Sequence, residues 1–278
     1  MSGPVTSSDA SPAPGADGPG GRRLGVLDGR PAEVGGFGVR RVLPRHGRRT
    51  VGAWCFVDHM GPGTVGPGNG LDIGPHPHIG LQTVTWLLRG AVLHRDSLGS
   101  EQVIRPGQLN LMTAGAGISH SEETTGVHVG EVHGVQLWVA LPSATRAGAP
   151  DFEHHGELPQ VELGGADATL LVGTLGGSTS PARRDTDHLG ADLDVRPGRT
   201  VVPLTPGHEH ALVVLEGAIT VDGQELGPGR LGYLGPERDE VSIDAVEPAR
   251  VLLLGGTPFP EEVLMWWNYV ARSRDEVT

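Results

Sequence analysis

The chain contains no lysine: all 21 of its basic residues are arginine. No physical constraint removes every lysine from a protein surface, so the absence is read as the mark of a GC-rich, bacterial genome. A single cysteine, Cys55, excludes an internal disulfide framework and points to a reducing, cytoplasmic compartment. It lies in the apolar run 53–57 and is expected to be a small buried hydrophobe. No stretch approaches the ~20 apolar residues that cross a bilayer, and the N-terminus has neither the basic region nor the apolar core of a signal peptide. With a net charge of −12 the chain lacks the concentrated basic surface that a phosphate backbone requires. Direct nucleic-acid binding and membrane insertion are therefore not expected.

Glycine and proline are abundant, 45 and 23 of 278 residues, and they separate short apolar runs. That punctuation argues for an all-β barrel or sandwich in one large or two smaller domains. Residues 1–21, rich in Ser, Pro, Gly, Ala and Asp, read as a disordered tail. Strands are expected at 51–57, 82–88, 91–96, 102–104, 108–112 and 135–140. The arginines around Arg40, Arg41, Arg45, Arg48 and Arg49 form the basic cluster of the chain, expected on a solvated hairpin face.

Within this first block stand His76-Pro77-His78 and, just over forty residues later, His120-Ser121-Glu122. Each pair has i, i+2 spacing, which on a strand points both side chains to one face. A lone HxH is a common surface pattern. Two such pairs joined by continuous strands and turns are better read as one inward-facing set of metal ligands. Three imidazoles and one carboxylate suit a first-row transition ion such as iron, with positions left for water, dioxygen or substrate.

Past a linker at 146–165 the pattern repeats. The run His210-Ala211-Leu212-Val213-Val214-Leu215-Glu216-Gly217 parallels Thr83-Val84-Thr85-Trp86-Leu87-Leu88-Arg89-Gly90, and Pro-Gly turns follow both, at Pro106-Gly107 and Pro228-Gly229. Two copies of one barrel are expected, the first over 22–145 and the second over 166–260. The second copy has its own HxH, His208 and His210. Aligned on the shared glycines these fall opposite Leu81 and Thr83, out of register with His76 and His78, so the second barrel is expected to be metal-free with this pair at strand entry or on the surface. Residues 261–278 carry acidic residues early and arginines late, which predicts a short C-terminal helix. Its Trp266, Trp267 and Tyr269 are expected to be buried between the barrels, because aromatics are only 4 % of the chain.

Three segments together resemble the pirin family of bicupin proteins: Pro75-His76-Pro77-His78-Ile79-Gly80-Leu81-Gln82-Thr83-Val84-Thr85 with Leu87-Leu88-Arg89-Gly90; Met112-Thr113-Ala114-Gly115-Ala116-Gly117-Ile118-Ser119-His120-Ser121-Glu122; and His133-Gly134-Val135-Gln136-Leu137-Trp138-Val139. The resemblance implies two cupin (jelly-roll) barrels face to face, with Fe(II) or another divalent metal held in the first by His76, His78, His120 and Glu122. Some members of that family cleave flavonols such as quercetin with dioxygen; others are redox-sensitive regulators acting through protein partners. The expected activity is thus a quercetin 2,3-dioxygenase-type oxidation of a flavonol-like aromatic substrate. Glu122 would be both ligand and catalytic proton acceptor. The alternative is a non-enzymatic iron-binding regulator. Two positions depart from the family pattern, Ile79 and Gln82, where an arginine and a glutamate are frequent; the first removes a charge beside the site.

Overall fold

The computed structural model describes residues 24–277; the tail expected over 1–21 lies outside them. Among the described residues every regular element is a β-strand. The first block contains β1 (Gly25–Asp28), β2 (Arg30–Val34), β3 (Phe37–Leu43), β4 (Trp54–Val65), β5 (Asp72–His78) and β6 (Leu81–Arg89). It continues with β7 (Val92–Asp96), β8 (Glu101–Ile104), β9 (Leu109–Thr113), β10 (Ile118–Glu123), β11 (Gly130–Ala140) and β12 (Asp151–His155). The second block contains β13 (Gln160–Glu162), β14 (Ala166–Val172), the small hairpin β15 (Thr174–Leu175) and β16 (Ser178–Thr179), β17 (His188–Val195), β18 (Gly198–Pro203) and β19 (Glu209–Glu216). After these come β20 (Ile219–Val221), β21 (Gln224–Leu226), β22 (Arg230–Gly235), β23 (Glu240–Ala245), β24 (Ala249–Gly256), β25 (Leu264–Trp266) and β26 (Tyr269–Ala271).

The internal repeat is visible in the topology. One seven-stranded sheet runs β12-β9-β6-β11-β4-β3-β2 and the other β1-β22-β19-β24-β17-β14-β13, so β6 and β19, the two runs that align in sequence, hold the same place. The four-stranded sheets correspond likewise, β5-β10-β7-β8 and β18-β23-β20-β21. Each jelly roll packs one of its sheets on the other across its own interior. The outer edges of the large sheets are covered by strands from outside the repeat, β12 and β1, so fewer backbone groups face solvent unpaired. Residues 146–165 thus carry β12 and β13, which extend the first and second large sheets.

The two large sheets stack through a shared apolar layer. Trp54, Val84, Trp86, Leu109, Leu111 and Leu137 from the first meet Ala211, Val213, Leu231, Leu252 and Leu254 from the second. Polar contacts fix the register of this stack. The Trp86 indole N–H donates to Asp192 Oδ2 at 2.7 Å, and Arg250 Nη2 donates to the same oxygen at 2.8 Å. Burial pushes the Asp192 carboxyl up, and the Arg250 guanidinium works against that shift. Trp54 Nε1 donates to the Leu189 carbonyl at 2.9 Å. At another corner Arg48 lies 3.5 Å over the Tyr233 ring and pairs with Glu209 at 3.0 Å.

Three expectations are corrected. The C-terminal segment is the hairpin β25–β26, not a helix: Met265 pairs with Val270, Trp266 with Tyr269, and Trp267-Asn268 make the two-residue turn. The reason is tertiary. Val270 N–H donates to the Ile79 carbonyl at 3.0 Å, giving the segment a strand neighbour, and Glu261 is engaged by Ser143 and Arg272. Gly80 permits the approach, since a Cβ there would lie 2.1 Å from the Val270 carbonyl oxygen. Trp266 and Trp267 are accordingly 41 % and 39 % exposed, and the tryptophans between the barrels are Trp54 and Trp86. The arginine cluster is also not simply solvated, for Arg41 is buried in a bidentate pair with Asp58 (2.8 and 2.7 Å). No helix among the described residues is long and apolar enough to cross a membrane.

Replacing Trp86 with Phe keeps an aromatic body between the sheets but removes the donor to buried Asp192. The expected loss is about 1–3 kcal/mol, seen as a lower urea midpoint; an unchanged midpoint would show that this bond is not what registers the stack.

Candidate metal centre

The interiors of the two barrels differ. In the second, Leu170, Leu193, Leu212, Val214, Val251 and Leu253 belong to one continuous apolar cluster. Its β18 and β23, which correspond to β5 and β10, turn Val202, Val241 and Ile243 into that cluster. In the first, the apolar interior is split. One part contains Phe56, Leu81, Met112 and Trp138, the other Val39, Met60, Leu87 and Val132, and a cavity of about 300 Å³ lies between them. His76, His78, His120 and Glu122 all line it.

Strand pairing explains the convergence. β5 and β10 are antiparallel neighbours in which His120 faces His76 and Ile118 faces His78. The alternation of each strand turns His76 and His78, and His120 and Glu122, toward the cavity. The ligand-capable atoms of His76, His78 and His120 lie within 4.8 Å of one another, and His78 Nε2 is 3.1 Å from His120 Nε2. Glu122 does not join that group of three. It lies two places beyond His120 on a regular stretch of β10, opposite His94 of β7, and its Oε1 lies 3.2 Å from the Thr85 hydroxyl.

The remaining ring nitrogens are all engaged. His76 Nδ1 is 2.9 Å from the Gly74 carbonyl oxygen, and His78 Nδ1 is 2.8 Å from that of Asn268 in the C-terminal hairpin turn. Each carbonyl can only accept, so each Nδ1 carries the proton and each Nε2 a bare lone pair. His120 is set by a relay. Asp96 is held below the usual carboxylate range, because hydrogen bonds from His94, Ser100 and Leu98 outweigh the opposing effect of burial. It accepts from His94 Nε2 at 3.0 Å; His94 Nδ1 then accepts from His120 Nδ1 at 3.3 Å, which leaves His120 Nε2 bare as well. Burial pushes His78 down to about 3 and His120 well below the imidazole range, with neighbouring histidines adding to both shifts.

Three neutral imidazoles thus direct lone pairs at one another with no proton between them. That donor set fits a transition-metal cation, which would replace mutual repulsion with three Nε2 bonds. Burial pushes Glu122 up to about 7, against the contact with Thr85.

Several contributors lay outside the sequence reading: His94, Asp96, Thr85, Asn268, Arg41 and Asp58. His94-Arg95-Asp96 is itself an i, i+2 pair on an expected strand, so the same spacing rule would have found it. Asn268 could not be found that way, since its role depends on a hairpin 190 residues from His78. Gln82 lies outside the cavity lining, its amide donating to Thr113 Oγ1 at 3.0 Å. His210 lies at the entry of β19, as one of its two expected placements had it, and is fully buried there, not on the surface.

Comparison with known proteins agrees with this architecture. The Pirin family model matches residues 36–139, and the Pirin C-terminal cupin domain matches 190–278. The chain belongs to the pirin family. A Pseudomonas aeruginosa protein named "Putative quercetin 2,3-dioxygenase" is 50 % identical over 250 residues, 89 % of this chain and 79 % of the relative. A pirin-like protein of Caulobacter vibrioides is 40 % identical, with 91 % and 89 % covered. Among solved structures, a quercetin 2,3-dioxygenase from Acinetobacter baumannii superimposes with a TM-score of 0.88 at 46 % identity, covering 91 % of this chain and 85 % of that one.

A His94→Phe variant keeps the stacking on Phe152, whose ring lies 4.4 Å away at 13°, and removes the relay to His120. Its affinity for a transition metal is expected to fall about 10–100-fold, measured by competition with a chromophoric chelator. Equal affinity would show that the relay does not orient His120.

Proposed function

We propose that this pirin is a metal-dependent dioxygenase of the quercetin 2,3-dioxygenase type, with Fe(II) held by His76, His78 and His120 and with Glu122 beside them. The observation that carries the reading is the convergence of three histidines, whose hydrogen-bond partners leave Nε2 free to bind, at the wall of a cavity lined by aromatic rings. Phe56 and Trp138 stack there with centroids 4.2 Å apart, and Trp267 stands in the lining. The names of the relatives support a flavonol as substrate.

Bound ferrous iron would supply Lewis acidity toward a substrate hydroxyl oxygen and a redox partner for dioxygen. The chain's own residues do the rest. Phe56, Trp138 and Trp267 give the cavity aromatic walls that favour a flat apolar ring over a polar substrate. Glu122 accepts the hydroxyl proton, its other oxygen steadied by Thr85. The apolar clusters on both sides of the cavity exclude water from the reacting atoms.

Anaerobic iron loading followed by oxygen-uptake measurement with quercetin tests this. Uptake is expected in the wild type, and Glu122→Gln should lower the turnover number by roughly 10²–10⁴-fold. A fully loaded wild type that takes up no oxygen in response to substrate would refute the reading.

A further inference from the structure

The split in the first barrel's core has a cause in the sheet register. Arg41 lies opposite Asp58, Asp58 opposite Gln136, Gln136 opposite Thr85, Thr85 opposite Asn110 and Asn110 opposite His154. One polar row therefore crosses six adjacent strands at a single level. On β4 the residues two places along on either side of Asp58, Phe56 and Met60, are apolar and fall in the two separate clusters. Arg41, Asp58, Gln136 and Thr85, consecutive members of the row, line the cavity.

The row links the metal end of the cavity to a charged end. Thr85 contacts Glu122, while Asp58 lies two strands further on, on the order of 10 Å away at ~4.8 Å per strand. There the Arg41 guanidinium lies 4.5 Å over the Phe56 ring and grips Asp58 through both carboxylate oxygens. Both residues are buried. A buried ion pair is costly to desolvate, and apolar residues of similar volume often stabilise such a position at least as well. Here the pair is set into the wall of a cavity, and each Asp58 oxygen has a second lone pair that Arg41 does not use.

We infer that Asp58, held by Arg41, is the specificity-determining group of the cavity: it accepts a hydrogen bond from a hydroxyl at the end of an aromatic ligand remote from the metal. The ligand class is a flat polyphenol, apolar on its faces and polar at two ends on the order of 10 Å apart, such as a flavonol whose pendant ring is hydroxylated. This rests on the proposed function for the assignment of the reacting end.

The test compares anaerobic binding of quercetin and of 3,5,7-trihydroxyflavone, which lacks the pendant-ring hydroxyls, by quenching of tryptophan fluorescence in the full chain. Wild type is expected to bind quercetin about 10–100-fold more tightly, the range of a hydrogen bond to a charged group. An Arg41→Leu/Asp58→Leu double variant, which leaves no charge unpaired, is expected to bind both flavonols alike. Equal affinities in wild type would overturn the inference without recourse to any variant, and so would a preference that survives in the folded double variant. A wild-type preference without oxygen uptake would keep the subsite and remove the dioxygenase; uptake on both flavonols with equal affinity would do the reverse.

Discussion

The central strands of the first barrel's large sheet are buried on both faces, and most of what the site does follows from sharing one pleat between two environments. On β6, Val84 and Trp86 face the second barrel while Thr85 faces the cavity. On β4, Trp54 and Val57 belong to the layer between the barrels, and Asp58 to the cavity wall. A one-residue slip would exchange the two sets, placing Asp58 in the apolar stack and tryptophans in the cavity. The interface between the barrels therefore specifies the register in which the cavity is polar. The bond from Trp86 to Asp192 and that from Trp54 to Leu189 act on the same strands that present Thr85 and Asp58 on their other side.

The two ends of the chain divide the work across the repeat. β1, near the described N-terminus, completes the second barrel's sheet, and the C-terminal hairpin, which follows the second barrel, reaches back to the first. The hairpin brings a carbonyl to His78 and an indole to the cavity lining. The second barrel, with its own interior filled by aliphatic residues, thus serves the first by backing its sheet and delivering this hairpin. Trp267 takes a positive φ of 49° in the turn, a conformation uncommon for a side chain of its size and one that recurs at ligand sites.

The sequence was most legible where a pattern has a short period. The i, i+2 pairs at His76/His78 and His120/Glu122 were readable because strand alternation is local, and the two-barrel fold because the runs at 83–90 and 210–217 repeat. The C-terminal segment was misread because its acidic start and basic end mimic helix signals, whereas its partners, Ile79 and Ser143, are more than a hundred residues away. Arg41 was misread for a similar reason: an arginine-rich stretch reads as solvated until the partner strand shows Asp58 opposite it. Glu122 lies on the inward face that its spacing predicts, but its neighbour there, Thr85, stands 37 residues away in the chain and has no short-period signature.

The central claim is that three lone pairs, fixed by three separate hydrogen bonds, make one metal site in the first barrel. The most direct measurement is a crystal structure of the iron-loaded protein with anomalous scattering recorded at the metal edge. The account predicts one peak per chain, bonded to Nε2 of His76, His78 and His120 at about 2.0–2.2 Å. A peak bonded through Nδ1 of any of these residues, or one lying in the second barrel, would contradict it.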